Sequence, residues 1–135
     1  MTDVVDRAAA RQPVATIMST RLAAVELHDS MREVAKELAA DEIGAVLVDG
    51  PLGPVGLVSE RDLVTMVAIG ADLEQEQVRA VMSVDLLAVE SSESIATAAR
   101  LMIDGAVRHI AVRRDGQIVG IVSMRDVLDA LLDRE

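Results

Sequence analysis

The chain has 135 residues, 51% of them hydrophobic, no Phe, Tyr, Trp or Cys, and a formal net charge of −10. That size supports one domain or two very small ones, with a core limited to Val, Leu, Ile, Met and Ala. Without cysteine there is no disulfide, thiolate metal site or thiol nucleophile, and the acidic balance argues against nucleic acid or an anionic membrane surface as partner.

The apolar runs are shorter than the roughly 20 residues of a membrane span. The opening "MTDVVDRAAARQPVATI" has no apolar h-region, so a cytoplasmic protein is the expectation. Residues 1–13 form an N-terminal extension, expected to be a helix that packs on the rest. A short extended piece follows at Leu22–Val25. Met31, Val34, Ala35 and Leu38 then recur at helical spacing, behind the capping-box pattern Ser30-x-x-Glu33. Two aliphatic strands, "GAVLV" and "VGLVS", are joined by "DGPLGP", and a second helix opens in "ERDLVTMVAI". The acidic connector "GADLEQEQVR" is expected to be partly helical, with residues 70–77 as the linker.

From there the layout recurs. A displacement of 64 residues lays "TIMSTRLAAVE" on "AVMSVDLLAVE" and makes 15 of the 50 positions from 15 to 64 identical without a gap. Leu86–Val89 is the second extended piece, and Ile95, Ala98, Ala99 and Met102 mark the second long helix. "HIAV" and "QIVGIVS" are joined by Asp115-Gly116, a strong hairpin signal, and "MRDVLDALLD" closes the copy. The repeats are therefore 14–69 and 78–135. One copy buries its own faces poorly, so two copies packed by pseudo-two-fold symmetry are expected. The closing helices carry apolar residues on more than one face, among them Val64, Met66, Val67, Ile69, Val127, Leu128, Leu131 and Leu132. Such faces suit a homodimer interface.

The most distinctive stretch is a decamer written twice, "VGLVSERDLV" from Val55 and "VGIVSMRDVL" from Val119. Ser59-x-x-Asp62 and Ser123-x-x-Asp126 are capping boxes with Asp in place of Glu, which explains Ser and Asp with no ligand. Arg61 and Arg125 are not explained that way, because a cation in the first turn opposes the helix dipole. They suit an anion site, where helix N–H groups and guanidinium receive phosphate together. Ionised Asp accepts from both hydroxyls of a ribose diol, and Ser donates to a phosphate oxygen. Pairing of the arginines with nearby Asp or Glu is the alternative. His109 beside its strand is either packed or a ligand contact, and His28 is an exposed loop residue. Two histidines and no cysteine suggest no metal site. No catalytic triad, carboxylate pair or P-loop is present, so the expectation is no enzyme.

The doubled G-h-h-S-x-R-D stretch, the "IMS" and "VMS" openings, and "EIGAVLV" matched by "AVRHIAV" together resemble the CBS-domain pair, or Bateman module, over about residues 14–132. The resemblance implies an α/β (α+β) fold of two tandem βαββα repeats. It also implies regulatory binding of an adenosine-containing ligand such as AMP, ADP, ATP or S-adenosylmethionine in clefts between the repeats, with a signal passed to a protein partner. No cofactor is required. A ligand-free structural or interaction module is the alternative. By the family's pattern, one cleft would use Ser123, Asp126, Arg125, Arg108 and His109, with Met18, Ala23, Ile43 and Gly44 around the adenine. The other would use Ser59, Arg61 and Asp62, with Met82, Leu87 and Val107. Gly44-Ala45 stands where the second copy has Arg108-His109, so unequal clefts are expected, with phosphate favouring the latter.

Overall fold

The computed structural model describes residues 5–41, 43–84 and 86–132. The first four residues of the extension and the last three of the second repeat lie outside that range. Helices α1 (Arg7–Ala10), α2 (Met31–Asp41), α3 (Glu60–Ala68), α4 (Val78–Val81), α5 (Ile95–Gly105) and α6 (Met124–Leu131) alternate with strands β1 (Ala24–Glu26), β2 (Ala45–Gly50), β3 (Gly53–Ser59), β4 (Ala88–Glu90), β5 (His109–Arg114) and β6 (Gln117–Ser123). A turn of 3₁₀ helix covers Val14–Thr16. The strands form two three-stranded sheets, β1-β2-β3 and β4-β5-β6, each with one parallel and one antiparallel pair.

The doubled decamer is used twice in the same way. Val48 pairs with Gly56 and Asp49 with Pro54, so Val55 is an extra, unpaired residue. Val119 is the same extra residue between the Val112–Gly120 and Arg113–Ile118 pairs. Each Val-Gly is thus a β-bulge, which bends the strand and raises its twist just before the helix begins. The Asp115-Gly116 hairpin forms as its sequence demands, with φ of 51° and 77° at the two residues, the left-handed pair of a type I′ turn.

One local expectation needs correction. Ser30 Oγ accepts the Glu33 N–H at 3.4 Å, but the reciprocal half of that capping box does not form among the described bonds; Glu33 Oε1 accepts from Lys36 at 3.3 Å. The extension contributes one helical turn, Arg7–Ala10. In the acidic connector, hydrogen bonds from Gln75 and Glu76 to the Asp72 carbonyl make turns, and helix begins only at Val78.

The compact units of the structure are not the contiguous sequence repeats. One is continuous, Arg21–Leu86; the other joins residues up to Thr20 with those from Leu87 onward. The continuous unit buries Val25, Met31, Val34, Leu38, Val46, Val48, Val58 and Val78. The discontinuous unit buries Val14, Val89, Ile95, Ala98, Met102, Ile110, Val112, Val122 and Val127. Val14 and Val78 are equivalent under the 64-residue displacement, and both are fully buried.

That equivalence extends to the backbone. In the continuous unit Met31 N–H donates to Glu76 at 2.9 Å, Val78 to Asp29 at 2.8 Å and Arg79 to Leu27 at 3.1 Å, while Ser83 and Leu57 exchange bonds at 3.0 and 3.3 Å. In the discontinuous unit Ile95 donates to Gln12 at 2.9 Å, Val14 to Glu93 at 2.7 Å and Ala15 to Ser91 at 3.2 Å, while Ser19 and Ile121 exchange bonds at 2.8 and 3.0 Å. Every pair in the second set is a pair of the first with one partner moved forward by 64 residues and the other moved back by 64. Gln12 and Pro13, which the sequence repeat leaves in the extension, are the counterparts of Glu76 and Gln77. Their segments satisfy the first N–H groups of α5 and α2, donors that a helix cannot pair internally.

Candidate functional site

Each bulge leads straight into a helix start. At α3, Ser59 N–H donates to Asp62 Oδ2 at 2.8 Å and Asp62 N–H to Ser59 Oγ at 3.3 Å. At α6 the same two bonds measure 2.9 and 3.0 Å. Both capping boxes are complete. In each, only Oδ2 of the carboxylate takes part; Oδ1 accepts nothing from any described residue. Capping therefore leaves one acceptor oxygen at each helix start, held in place by the box and open to a hydroxyl donor. Asp62 and Asp126 are half-buried, and Ser59 and Ser123 likewise.

Arg61 and Arg125 follow in the first turn, and both are exposed. The only ion pairs among the described residues are Arg32–Glu74 and Lys36–Glu33. No described carboxylate pairs with Arg61, Arg108 or Arg125, and no described side chain accepts from them. Three cations at two helix starts thus lack an anionic partner among the described residues, in a chain of net charge −10.

The two starts differ in what flanks them. The α6 N–H of Met124 donates to the Arg108 carbonyl at 2.8 Å, and the α3 N–H of Glu60 to the Gly44 carbonyl at 2.9 Å. These bonds fix Arg108 beside one helix start and Gly44, without a side chain, beside the other. His109, half-buried, begins β5 opposite Ser123. The serines differ too. Ser59 Oγ also donates to Asp62 Oδ2 at 3.1 Å; the Ser123 hydroxyl makes no such bond to Asp126, so its hydrogen is not engaged by that carboxylate.

The expected adenine-lining residues sort by unit. Met18, Leu87 and Val107 pack on the core of the discontinuous unit, which also holds Arg108, His109, Ser123, Arg125 and Asp126. Ala23, Ile43 and Met82 pack on the core of the continuous unit, which holds Gly44, Ser59, Arg61 and Asp62. Close approach to backbone requires glycine at two places. A Cβ at Gly120 would lie 2.6 Å from Met18 Sδ and 2.9 Å from the Ser19 carbonyl; at Gly56, 3.0 Å from Met82 Sδ and 2.5 Å from the Ser83 carbonyl. A Cβ at Gly105 would lie 2.6 Å from Leu87 Cδ1. Sequence reasoning singles out Gly56 and Gly120 but misses what they admit, the Met-Ser pair of the segment 64 residues away in the alignment. The doubled "MS" and doubled "VG" were the available signal. Gly105 had none, since residue 41 in its place is Asp.

The family model of the CBS domain matches twice, at residues 14–69 and 78–133. The CBS-domain containing protein of Agrobacterium tumefaciens has the same fold, with a TM-score of 0.80 and 28% identity over 95% of this chain and 98% of its own. A CBS domain protein of Pyrobaculum aerophilum, solved in complex with AMP, has a TM-score of 0.75 and 28% identity over 84% of this chain and 88% of its own. An uncharacterized 17.7 kDa protein of Acidianus ambivalens is 31% identical over 89% of this chain and 73% of its own length. With two family matches that together take in most of its length, and with a βαββα arrangement in each half, the chain belongs to the CBS-domain family as a tandem pair.

Proposed function

We propose that the pair is a regulatory sensor that binds an adenosine-containing nucleotide and passes its occupancy to a protein partner. The observation that carries this is the state of the two helix starts. Each offers a carboxylate oxygen left over from capping, in the same first helical turn as an exposed arginine that pairs with no described carboxylate. A carboxylate that accepts and cannot donate suits a ribose diol, while guanidinium and helix N–H groups suit phosphate. The AMP complex of the Pyrobaculum relative supports the ligand class. With no aromatic residue in the chain, the base would be held by aliphatic side chains such as Met18, Ala23, Ile43, Met82, Leu87 and Val107. The ligand works as a switch only if it binds one arrangement of the protein better than another, and partner affinity then follows that bias.

Exposed apolar side chains on the closing helices support a homodimer. Val64, Val67 and Ile69 are 65%, 59% and 71% exposed, and Leu128 and Leu132 about half. No helix among the described residues is long and apolar enough to cross a membrane. Titration calorimetry with AMP, ADP, ATP, S-adenosylmethionine and NAD tests the ligand. Binding heat for at least one adenosine compound is expected. No heat and no thermal shift at millimolar ligand would sink the proposal.

A second function is favoured by the completeness of both capping boxes, which use Ser and Asp without any ligand. The pair is then a ligand-free interaction module. Asp62→Ala and Asp126→Ala would each lose about 1 kcal/mol of stability and leave every nucleotide titration flat.

A further inference from the structure

The two units have the same backbone pairing but different covalent connection. In the continuous unit, α3 runs through the connector into Val78–Ser83, so the segment that pairs with Leu57 is tied to the unit it closes. In the discontinuous unit the equivalent segment, residues 5–20, is joined to β4–α6 only by way of the entire other unit. The Asp6 N–H meets the Leu131 carbonyl at 2.6 Å where, in the continuous unit, Gly70 meets Val67 at 3.1 Å along unbroken chain. We propose that residues 5–20 are a strap that opens and closes on the discontinuous unit while the rest of that unit stays folded.

What holds the strap is small and local. Val14 is its one fully buried side chain; Ile17 and Met18 are half-buried, and Val5, Asp6, Arg7 and Ala8 are exposed. Segments with few buried apolar groups and a handful of edge hydrogen bonds occupy the low end of local opening free energies. The matching segment of the continuous unit has the same anchors, with Val78 fully buried and Met82 half-buried. Connection is therefore the main variable. Leu57 and Ser83 are 26 residues apart and Ser19 and Ile121 are 102 apart. The tether that brings an opened segment back is α3 with the connector in one case and the whole of the other unit in the other, and the longer way round lowers the local concentration of the segment at its site.

Opening matters because of what the strap covers. Met18 and Ser19 sit on Gly120, and Ser19 occupies the outer N–H and C=O of Ile121, two residues before Ser123. An open strap withdraws Met18 and bares the edge of β6 that leads to the α6 helix start. Opening is a property of the free chain and does not require nucleotide binding.

Amide hydrogen exchange on the full chain tests this. After correction for intrinsic rates, the Ile121 amide should be protected severalfold less than that of Leu57. Hydrogen-bond length alone predicts the opposite order, since the Ile121 bond is 3.0 Å and the Leu57 bond 3.3 Å. Val14→Ala should further lower protection at Ile121 and Ile95, with the Val122 amide of the β5–β6 ladder unchanged. Equal or greater wild-type protection at Ile121 overturns the strap. So does a Val14→Ala variant in which Val122 loses protection in step with Ile121, because the segment would then leave only when the whole unit unfolds.

Discussion

The two halves share a backbone and differ at three points, and the differences do not have equal standing. Bulge, capping box, glycine slot and edge pairing recur at the same displacement in both units. The discontinuous unit adds Arg108 and His109 where the other has Gly44 and Ala45. It leaves the Ser123 hydroxyl hydrogen clear of Asp126, and it is closed by a segment from the far end of the chain. Scaffold features were kept in duplicate, while charge and connectivity diverged. Folding needs only the first set, so the second set is where a difference in ligand or response between the units would reside.

The largest expected effects test the shared part. Met31 and Ile95 occupy equivalent, buried positions at the start of α2 and α5, at 0% and 1% exposure. Replacing either with Ala should lower stability by about 2–5 kcal/mol, a range set by how far each site collapses. Urea denaturation measures it. A loss under 1 kcal/mol at one position only would break the equivalence of the two cores.

Next comes the charged difference. If phosphate is received beside α6, Arg108→Gly should weaken AMP binding by about tenfold or more, since a hydrogen bond to a charged group is worth about 1.5–3 kcal/mol. Adenosine, which has no phosphate, should bind the variant as it binds the parent. Calorimetry with both ligands separates the outcomes, and an equal loss for both would remove Arg108 from any phosphate role.

The glycine slots sharpen the contrast in connectivity. Gly56→Ala places a Cβ 2.5 Å from the Ser83 carbonyl in a segment tied to its own unit, so backbone must shift at a cost of about 1–3 kcal/mol. Gly120→Ala meets Met18 Sδ, a flexible side-chain atom, at 2.6 Å and the Ser19 carbonyl at 2.9 Å, in a segment that can lift away. Global stability should fall less for Gly120→Ala than for Gly56→Ala, as judged by denaturation midpoints. The reverse order would mean that the two segments are held alike.

What was legible in the sequence was local. The Asp115-Gly116 turn, the Ser59 and Ser123 boxes and the phase of α2 and α5 each depend on residues within a few positions. The half-formed box at Ser30 shows the limit of even that, since the pattern is present and Glu33 Oε1 meets Lys36 while the Ser30 amide gains no bond from it. The closure of each unit by a distant segment was not legible. Its bonds are backbone to backbone, as from Ile95 to Gln12 or Ser19 to Ile121, and place no demand on side-chain identity. Gln12 and Glu76 play one role without being the same residue. For the candidate site, residue types and the two helix starts could be read from the decamer. Which carboxylate oxygen capping leaves over, and which arginines stay unpaired, needed coordinates.

The smallest expected effect bears on whether capping and ligand binding are separable at the same serine. Removing the hydroxyl deprives each helix of the acceptor for its N3 amide, so Ser59→Ala and Ser123→Ala should both lose about 1 kcal/mol. Their consequences for a ligand differ. Ser59 Oγ–H is already directed to Asp62 Oδ2, so its removal takes from a phosphate a donor that was engaged elsewhere. Ser123 Oγ accepts from the Asp126 amide while its own hydrogen is clear of that carboxylate, so it can cap the helix and donate to a phosphate oxygen together. Ser123→Ala should therefore weaken AMP binding severalfold beyond its effect on stability, and Ser59→Ala should not. A pair of variants with matched stability loss and unmatched AMP affinity would locate phosphate at α6. Matched affinity as well would leave both serines as caps and no more.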